Sequence, residues 1–172
     1  MNKRKLFFCS SITILVINLF SACKDIEIPG GPLSAYDQVY MPSALSSPDT
    51  ITLKMKDSIQ NVAFGADFGG YAYPEQDIQV EFQIAPDLIA AFNLKKGTKY
   101  ELLPEGSYTF EQKSATILKG KLSTDPLHIS INPFGKLVAR KGYILPVTIS
   151  QIDEGVQVNE DLRTTYFLIK AL

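Results

Sequence analysis

The sequence is poor in the side chains on which most enzymes and metal sites depend, with no tryptophan, two cysteines and one histidine, His128, among its 172 residues. A histidine-based triad needs a nucleophile and an acid beside the histidine, and no motif supplies them here. Zinc sites combine several nitrogen and sulfur ligands, which one histidine cannot provide. The 18 acidic residues include no pair that stands out as the two carboxylates of a glycosidase. The sequence therefore predicts a protein that is not an enzyme and that has no cofactor and no metal site.

An excess of basic charge is also missing. The chain has 17 Lys and Arg residues against 18 Asp and Glu residues, a formal net charge of −1. It contains no basic run with interleaved aromatic residues, which is the pattern expected of a nucleic-acid-binding surface. The sequence therefore predicts no nucleic-acid partner.

The N-terminus carries an export signal. Lys3, Arg4 and Lys5 precede about fifteen mostly apolar residues, a run shorter than the roughly 20 residues of a spanning helix and typical of a signal peptide. The small residues Ser21 and Ala22 directly before Cys23 resemble the lipobox of bacterial lipoproteins, in which the cysteine is acylated and becomes the first mature residue. Cys23 as a core cysteine of a globular domain is the alternative. We expect a signal peptide over residues 1–22 and lipidation of Cys23.

The mature chain then begins with a polar segment rich in glycine and proline, which favours an extended tether over residues 23–37. Asp25 and Glu27, which follow the cysteine closely, resemble the surface-export signal of Bacteroidota lipoproteins. We therefore expect an outer-membrane protein, held to the membrane by its lipid anchor and displayed on the cell surface. A periplasmic orientation is the alternative.

Residues 38–172 are expected to form one domain that contains about seven or eight strands. Asp77–Ile84 alternates cleanly, with Ile78, Val80, Phe82 and Ile84 on one face, as in a half-buried strand. The same period places alternate residues from Leu127 and from Tyr143 inward, and Pro146 suggests an edge strand or a bulge. Further strands are predicted from Thr50, Ser58, Ser114 and Thr164. The spacing of strands and turns predicts an antiparallel, immunoglobulin-like β-sandwich.

One segment departs from the strand period. Leu88, Ile89, Phe92 and Leu94 have near-helical spacing between Pro86 and Gly97, and Lys95 and Lys96 occupy the expected last turn. We predict a short helix there that crosses from one sheet edge to another.

Several stretches together resemble a Bacteroidota domain of unknown function. They are "VAFGADFGGYAYPEQDIQVEFQIAPDLIAAFNLKKGTKYELLPEGSYTF", "ATILKGKLST", "GYILPVTI" and "VNEDLRTTYFLIK", and the likeness runs from about Val39 to Ile169. That domain is typically the N-terminal module of surface lipoproteins, including some with endo-β-N-acetylglucosaminidase-like domains. The resemblance implies an immunoglobulin-like sandwich in a glycan-foraging system, with no activity assigned to the domain itself.

The candidate contact residues lie beside a glycine-rich stretch. Gly65, Gly69 and Gly70 lack the lysine and helix of a phosphate-binding loop and are interpreted as supplying positive φ angles at a turn or bulge. Tyr71 and Tyr73 would share one side of an extended chain, where they could stack on a sugar ring. Two tyrosines that seal the core are the alternative.

Two function classes remain open. The favoured one is a non-catalytic, surface-anchored module accessory to the binding or uptake of a polysaccharide or oligosaccharide, with outer-membrane transport proteins as further partners. The other is a structural spacer or a protein interaction domain that engages a partner through an exposed strand edge.

Overall fold

The computed structural model describes residues 36–153 and 155–172. The predicted signal peptide, Cys23 and most of the predicted tether lie outside the described residues.

The described residues contain twelve strands, the helix α1 (Leu88–Lys96), and 3₁₀ turns at Pro42–Ser46 and Glu160–Leu162. The strands are β1 (Gln38–Tyr40), β2 (Asp49–Leu53), β3 (Gln60–Phe64), β4 (Asp67–Gly69), β5 (Ile78–Ile84), β6 (Glu101–Leu102), β7 (Tyr108–Thr109), β8 (Ser114–Ile117), β9 (Leu127–Ile131), β10 (Gly142–Ile152), β11 (Gln157–Val158) and β12 (Thr164–Ala171).

The strands form three sheets that enclose one core. The largest has the order β2-β12-β10-β5-β8, with β6 also paired to β10, and the smaller ones have the orders β3-β9-β7 and β11-β1-β4. The predicted all-β, immunoglobulin-like sandwich with one short helix is confirmed. The seven longer strands agree with the predicted number, and the five added strands are only two or three residues long. Three pairings, β1 with β11, β6 with β10 and β2 with β12, are parallel.

The period-2 pattern places the predicted residues in the core. Ile78, Val80 and Phe82 of β5 are buried and Ile84 is partly buried, and alternate residues of β9 are buried as well. In β10 the predicted inward residues are buried together with the residues between them. The ring of Phe82 meets that of Phe64, on the facing sheet, edge to face with 5.2 Å between centroids. Each such buried side chain contributes roughly 1.5–3 kcal/mol through its removal from water.

The strand β10 is central, not an edge strand as Pro146 suggested. It lies between β12 and β5, and its residues from Tyr143 to Ile149 are buried on both faces. Pro146 lies opposite Ala85, just past the end of β5, and its carbonyl accepts from the Ala85 N–H at 3.1 Å. The Ala85 carbonyl, which would otherwise need the missing N–H of residue 146, accepts from the Leu88 N–H instead. Proline is therefore tolerated at this position. The ladder irregularity of β10 lies further along, between Ile149 and Gln151.

Helix α1 ends as predicted, because Gly97 adopts the left-handed conformation (φ 65°) and its N–H donates to the Asn93 carbonyl. The helix does not cross between sheet edges, since β5 before it and β6 after it both pair with the same side of β10. It covers the outer face of the sheet, where Phe92 stacks on Tyr166 of β12 at 4.4 Å. Leu94 is turned away from the sheet and is 87% exposed.

Two grooves of the candidate site

Tyr71 and Tyr73 lie on the surface in the segment between β4 and β5. Each is 62% exposed, so neither seals the core. The chain bends at residues 70–72, and the extended backbone that would place both rings side by side is absent. Tyr71 instead packs edge to face against Tyr36, with 5.6 Å between ring centroids.

Tyr73 lines a groove of about 700 Å³, here called the tyrosine groove. The groove is also lined by apolar and polar side chains, those of Asp37, Phe68, Pro74, Glu75, Gln76, Ile78 and Val156. The side chains of Tyr73, Glu75 and Gln76 form no hydrogen bond with any described residue. The groove therefore offers one aromatic face beside free donors and acceptors, which is the combination that binds a ligand with both apolar and hydroxyl-bearing faces.

The glycines beside this groove have a different role from the predicted one. Gly65, Gly69 and Gly70 do not have positive φ angles. A Cβ atom on Gly70 would stand 2.8 Å from a ring carbon of Phe68 and would also collide with the Asp37 carboxylate. A Cβ atom on Gly65 would lie 2.7 Å from the Thr124 hydroxyl. These positions need glycine because other groups pack closely against the backbone, not because of the backbone angles.

A second groove, missed by sequence reasoning, lies on the outer face of the large sheet beside α1. This helix groove has a volume of about 550 Å³. Its floor comes from β5, β10 and β12 and its walls from α1 and the 3₁₀ turn at Glu160–Leu162; the lining includes Gln83, Asp87, Lys95, Thr148, Ser150, Asp161, Arg163, Thr164 and Tyr166. The sequence pattern does place Gln83 and Thr148 on outward faces, but it does not say which outward positions a helix will flank.

Three polar residues on the floor of the helix groove are direct neighbours across three strands. Thr164 is opposite Thr148, and Thr148 is opposite Gln83. The Thr164 hydroxyl donates to the Thr148 hydroxyl at 2.8 Å. Gln83, which is exposed, forms no side-chain hydrogen bond with a described residue. At roughly 4.8 Å between strands, this polar row is about 10 Å long.

The charges around the helix groove are only partly paired. Arg163 donates to both carboxylate oxygens of Glu160 at 3.1 Å and, through Nε, to the Ile149 carbonyl at 2.8 Å. Burial of the Tyr166 ring, with a smaller contribution from the Asp87 carboxylate, raises the pKa of the Tyr166 hydroxyl. The hydroxyl therefore remains protonated at neutral pH and can donate a hydrogen bond.

Other chemistry-bearing residues do not assemble into a centre. His128 is exposed on the polar face of β9, as its strand period predicts. Within residues 36–153 and 155–172, no three His, Cys, Asp or Glu side chains lie close enough to hold a metal ion. The same ranges contain no helix with the length and apolar character needed to cross a bilayer.

Solved structures with the same fold come from larger proteins of Bacteroides. A candidate carbohydrate-binding protein of Bacteroides ovatus superimposes with a TM-score of 0.61 at 19% identity, over 77% of this chain and 36% of the other. Bacteroides thetaiotaomicron EndoBT-3987, solved with a Man5GlcNAc product, gives 0.61 at 18% identity, over 77% and 30%. A multidomain Bacteroides ovatus protein that includes DUF1735 gives 0.61 at 18% identity, over 80% and 45%. At these identities the likeness establishes the fold, and this chain spans less than half of each of the three proteins.

No curated protein matches the sequence. A family model described as "-like, N-terminal domain" matches residues 36–156, which is well over half of the chain. The match includes the tyrosine groove, α1 and most of the floor of the helix groove. The chain therefore belongs to this family of N-terminal domains.

Proposed function

We propose that this protein is a surface-anchored, non-catalytic lipoprotein module that assists glycan binding or uptake at the outer membrane. The observation that carries the proposal is the tyrosine groove, where an exposed ring stands beside polar side chains that have no partner among the described residues. An aromatic face packs well against the C–H face of a sugar ring, while amide and carboxylate groups bind its hydroxyls.

The related structures support this choice of ligand class. One is described as a candidate carbohydrate-binding protein, and another holds a Man5GlcNAc product. In a glycan-degrading system, a membrane-anchored domain that binds glycan would keep the substrate near the membrane. Because the groove contains no tryptophan, we expect dissociation constants in the micromolar to millimolar range, or roughly −4 to −8 kcal/mol.

The first test is direct binding. The full-length protein in detergent would be titrated calorimetrically against a neutral panel (Man5GlcNAc, xylo- and cello-oligosaccharides) and an acidic panel (galacturonan fragments and sialyllactose). We expect Tyr73→Ala to weaken binding at least fivefold. Phe134→Ala is the matched control, since Phe134 is a comparably exposed aromatic residue (54%) outside both grooves. Failure of every glycan to bind would overturn the proposal, and so would glycan turnover by the purified protein.

The anchor has its own test, because it rests on the sequence around Cys23. A lipid-modified cysteine would hold the chain to the membrane by two or more acyl chains, whereas one chain binds only marginally. Cys23→Ala should abolish acyl labelling and move the protein from the membrane to the soluble fraction. Cys9→Ala, within the predicted signal peptide, is the control and should change neither. Unchanged fractionation and labelling of Cys23→Ala would refute the lipoprotein assignment.

A second candidate function, a spacer or protein interaction domain, is favoured by one surface. Strand β8 is an edge strand of the large sheet. Just beyond it, Leu118 (52% exposed) and Leu122 (44% exposed) line a depression of about 360 Å³. An exposed edge beside apolar side chains suits the addition of a strand from a partner. Co-purification of an outer-membrane protein that Leu118→Glu abolishes, without any glycan binding, would favour this function.

A further inference from the structure

The helix groove has the chemistry of a second binding site, separate from the tyrosine groove. The two grooves share no lining residue. Both touch β5, the tyrosine groove at Ile78 and the helix groove at Gln83. Five residues along a strand separate these positions by about 16 Å. A ligand in one groove therefore leaves the other free.

The floor of the helix groove is a hydrogen-bonding surface. The Thr164 hydroxyl, which donates to Thr148, can still accept a bond from a ligand. The side chains of Gln83, Ser150 and Tyr166 form no hydrogen bond with a described residue. An amide and three hydroxyl groups within one groove provide both donors and acceptors. A ligand with many hydroxyl groups can satisfy them together.

The same lining disfavours an apolar or peptide ligand. The one aromatic ring of the groove, that of Tyr166, is stacked on Phe92 at 4.4 Å. One face of the ring is therefore covered, and the hydroxyl is the group of Tyr166 that a ligand can bind. Peptide-binding grooves depend on apolar anchors seated in pockets, and this floor has threonine, serine and glutamine instead.

The charges favour a neutral ligand. Arg163 is paired with Glu160, whereas the side chains of Asp87, Asp161 and Lys95 form no ion pair with a described residue. These three groups leave a small negative excess, which would repel a carboxylate or sulfate on a ligand. Each can still form a charge-assisted bond with a hydroxyl group, and such bonds are stronger than neutral ones.

We propose that the helix groove is a second saccharide site that binds an uncharged oligosaccharide, about two sugar residues long, by hydrogen bonds with Thr164 and Gln83, which lie on either side of the buried Thr148. The inference rests on the proposed glycan-binding function, and it adds a binding site on the outer face of the large sheet to the one in the tyrosine groove. It requires binding that survives loss of Tyr73 and that discriminates against acidic sugars.

The test uses the full-length protein in detergent with Tyr73→Ala as the background, titrated with the neutral and acidic panels described above. We expect a neutral oligosaccharide to bind this background. Adding Gln83→Leu and Thr164→Val, which remove hydrogen-bonding groups and preserve much of the volume, should weaken that binding at least tenfold. Thr164→Ser retains the hydroxyl and should restore most of the affinity lost through Thr164→Val.

A matched control is available on the same sheet face. Gln79 of β5 and Thr116 of β8 are also exposed and directly opposite each other, and neither lines the helix groove. Gln79→Leu with Thr116→Val in the Tyr73→Ala background should leave affinity within twofold, and thermal melts of both double variants would verify folding.

The outcomes separate this inference from the proposed function. If no glycan binds the wild-type protein, both fail. If glycans bind the wild-type protein but not Tyr73→Ala, or if the groove and control variants behave alike, the helix groove is not a saccharide site and the proposed function stands. Binding of acidic glycans with equal or higher affinity would also overturn the inference, because the unpaired carboxylates should oppose it.

Discussion

The tyrosine groove and the helix groove differ in how the chain builds them. The tyrosine groove is formed mainly by connecting segments, and its ring, that of Tyr73, directly follows the bend at residues 70–72, where the backbone of Gly70 passes against Phe68. The floor of the helix groove is a strand ladder, with Thr164, Thr148 and Gln83 fixed by register. A site on connecting segments depends on a few close packing contacts, whereas a site on a ladder depends on the sheet itself.

The largest expected effect comes from the core that both grooves share. Phe82 is 2% exposed and meets the ring of Phe64 on the facing sheet. Phe82→Ala should lower the free energy of unfolding by about 3–5 kcal/mol, because it removes buried surface and leaves a cavity. A denaturant titration measures this, with Gln83→Ala next to it as an exposed control expected within about 0.5 kcal/mol. A loss below 1 kcal/mol for Phe82→Ala would contradict the register of β5.

A second substitution should affect the tyrosine groove alone. Gly70→Ala places a Cβ atom against Phe68 and Asp37, and relief of such overpacking typically costs about 1–3 kcal/mol. Gly69→Ala is the control, since its Cβ atom would come no closer than 3.3 Å to the Tyr40 ring and 3.9 Å to the Gln38 carbonyl. Stability by denaturation and amide shifts by NMR would be compared for the two variants. Equal costs, or shifts that spread to β10 and β12, would show that the tyrosine groove does not depend on this single close contact.

A third substitution acts on the wall of the helix groove. Gly97 closes α1 at φ 65°, and a Cβ atom there would meet nothing within 4 Å. Gly97→Ala should therefore cost about 1–2 kcal/mol from the left-handed conformation alone. Gly97→Asn should cost less, because asparagine tolerates that conformation. If Asn and Ala were equally destabilising by denaturant titration, the cost would not come from the backbone angle.

The smallest effect concerns pH. The pKa of Tyr166 is raised in the folded protein, first by burial and then by the Asp87 carboxylate. The unfolded chain therefore releases this proton first, and the contribution of Tyr166 to stability is complete below its ordinary pKa of 10.0 and falls as pH rises through the folded value. Tyr166→Phe should flatten the loss of stability above about pH 10. A variant whose alkaline titration of stability matches that of the wild-type protein would contradict the raised pKa.

Much of the fold could be predicted because it follows local periods. Alternation in β5 and β9 identified the buried faces, and Gly97 marked the end of α1. The five shortest strands were missed, since two or three residues carry no usable period. The prediction that β10 is an edge strand, made from Pro146, was wrong. The effect of a missing N–H depends on which neighbour the residue faces, and Pro146 faces the end of β5, where no ladder bond is lost. In the candidate site, the sequence left open whether Tyr71 and Tyr73 are exposed or seal the core. It did not predict the helix groove, because the strand period does not show which outward positions a helix will flank.

The sequence by itself determined which residues avoid water, since side-chain hydrophobicity and the strand period of two act over a few neighbouring positions. It also determined the short inventory of reactive side chains from which we predicted a non-catalytic protein. Only the tertiary structure decided that α1 stays on one side of β10, that Asp37 packs closely against Gly70, and that Gln83, Thr148 and Thr164 form one row. These residues are up to 81 positions apart in the chain, and only long-range strand pairing, which no local pattern encodes, brings them together.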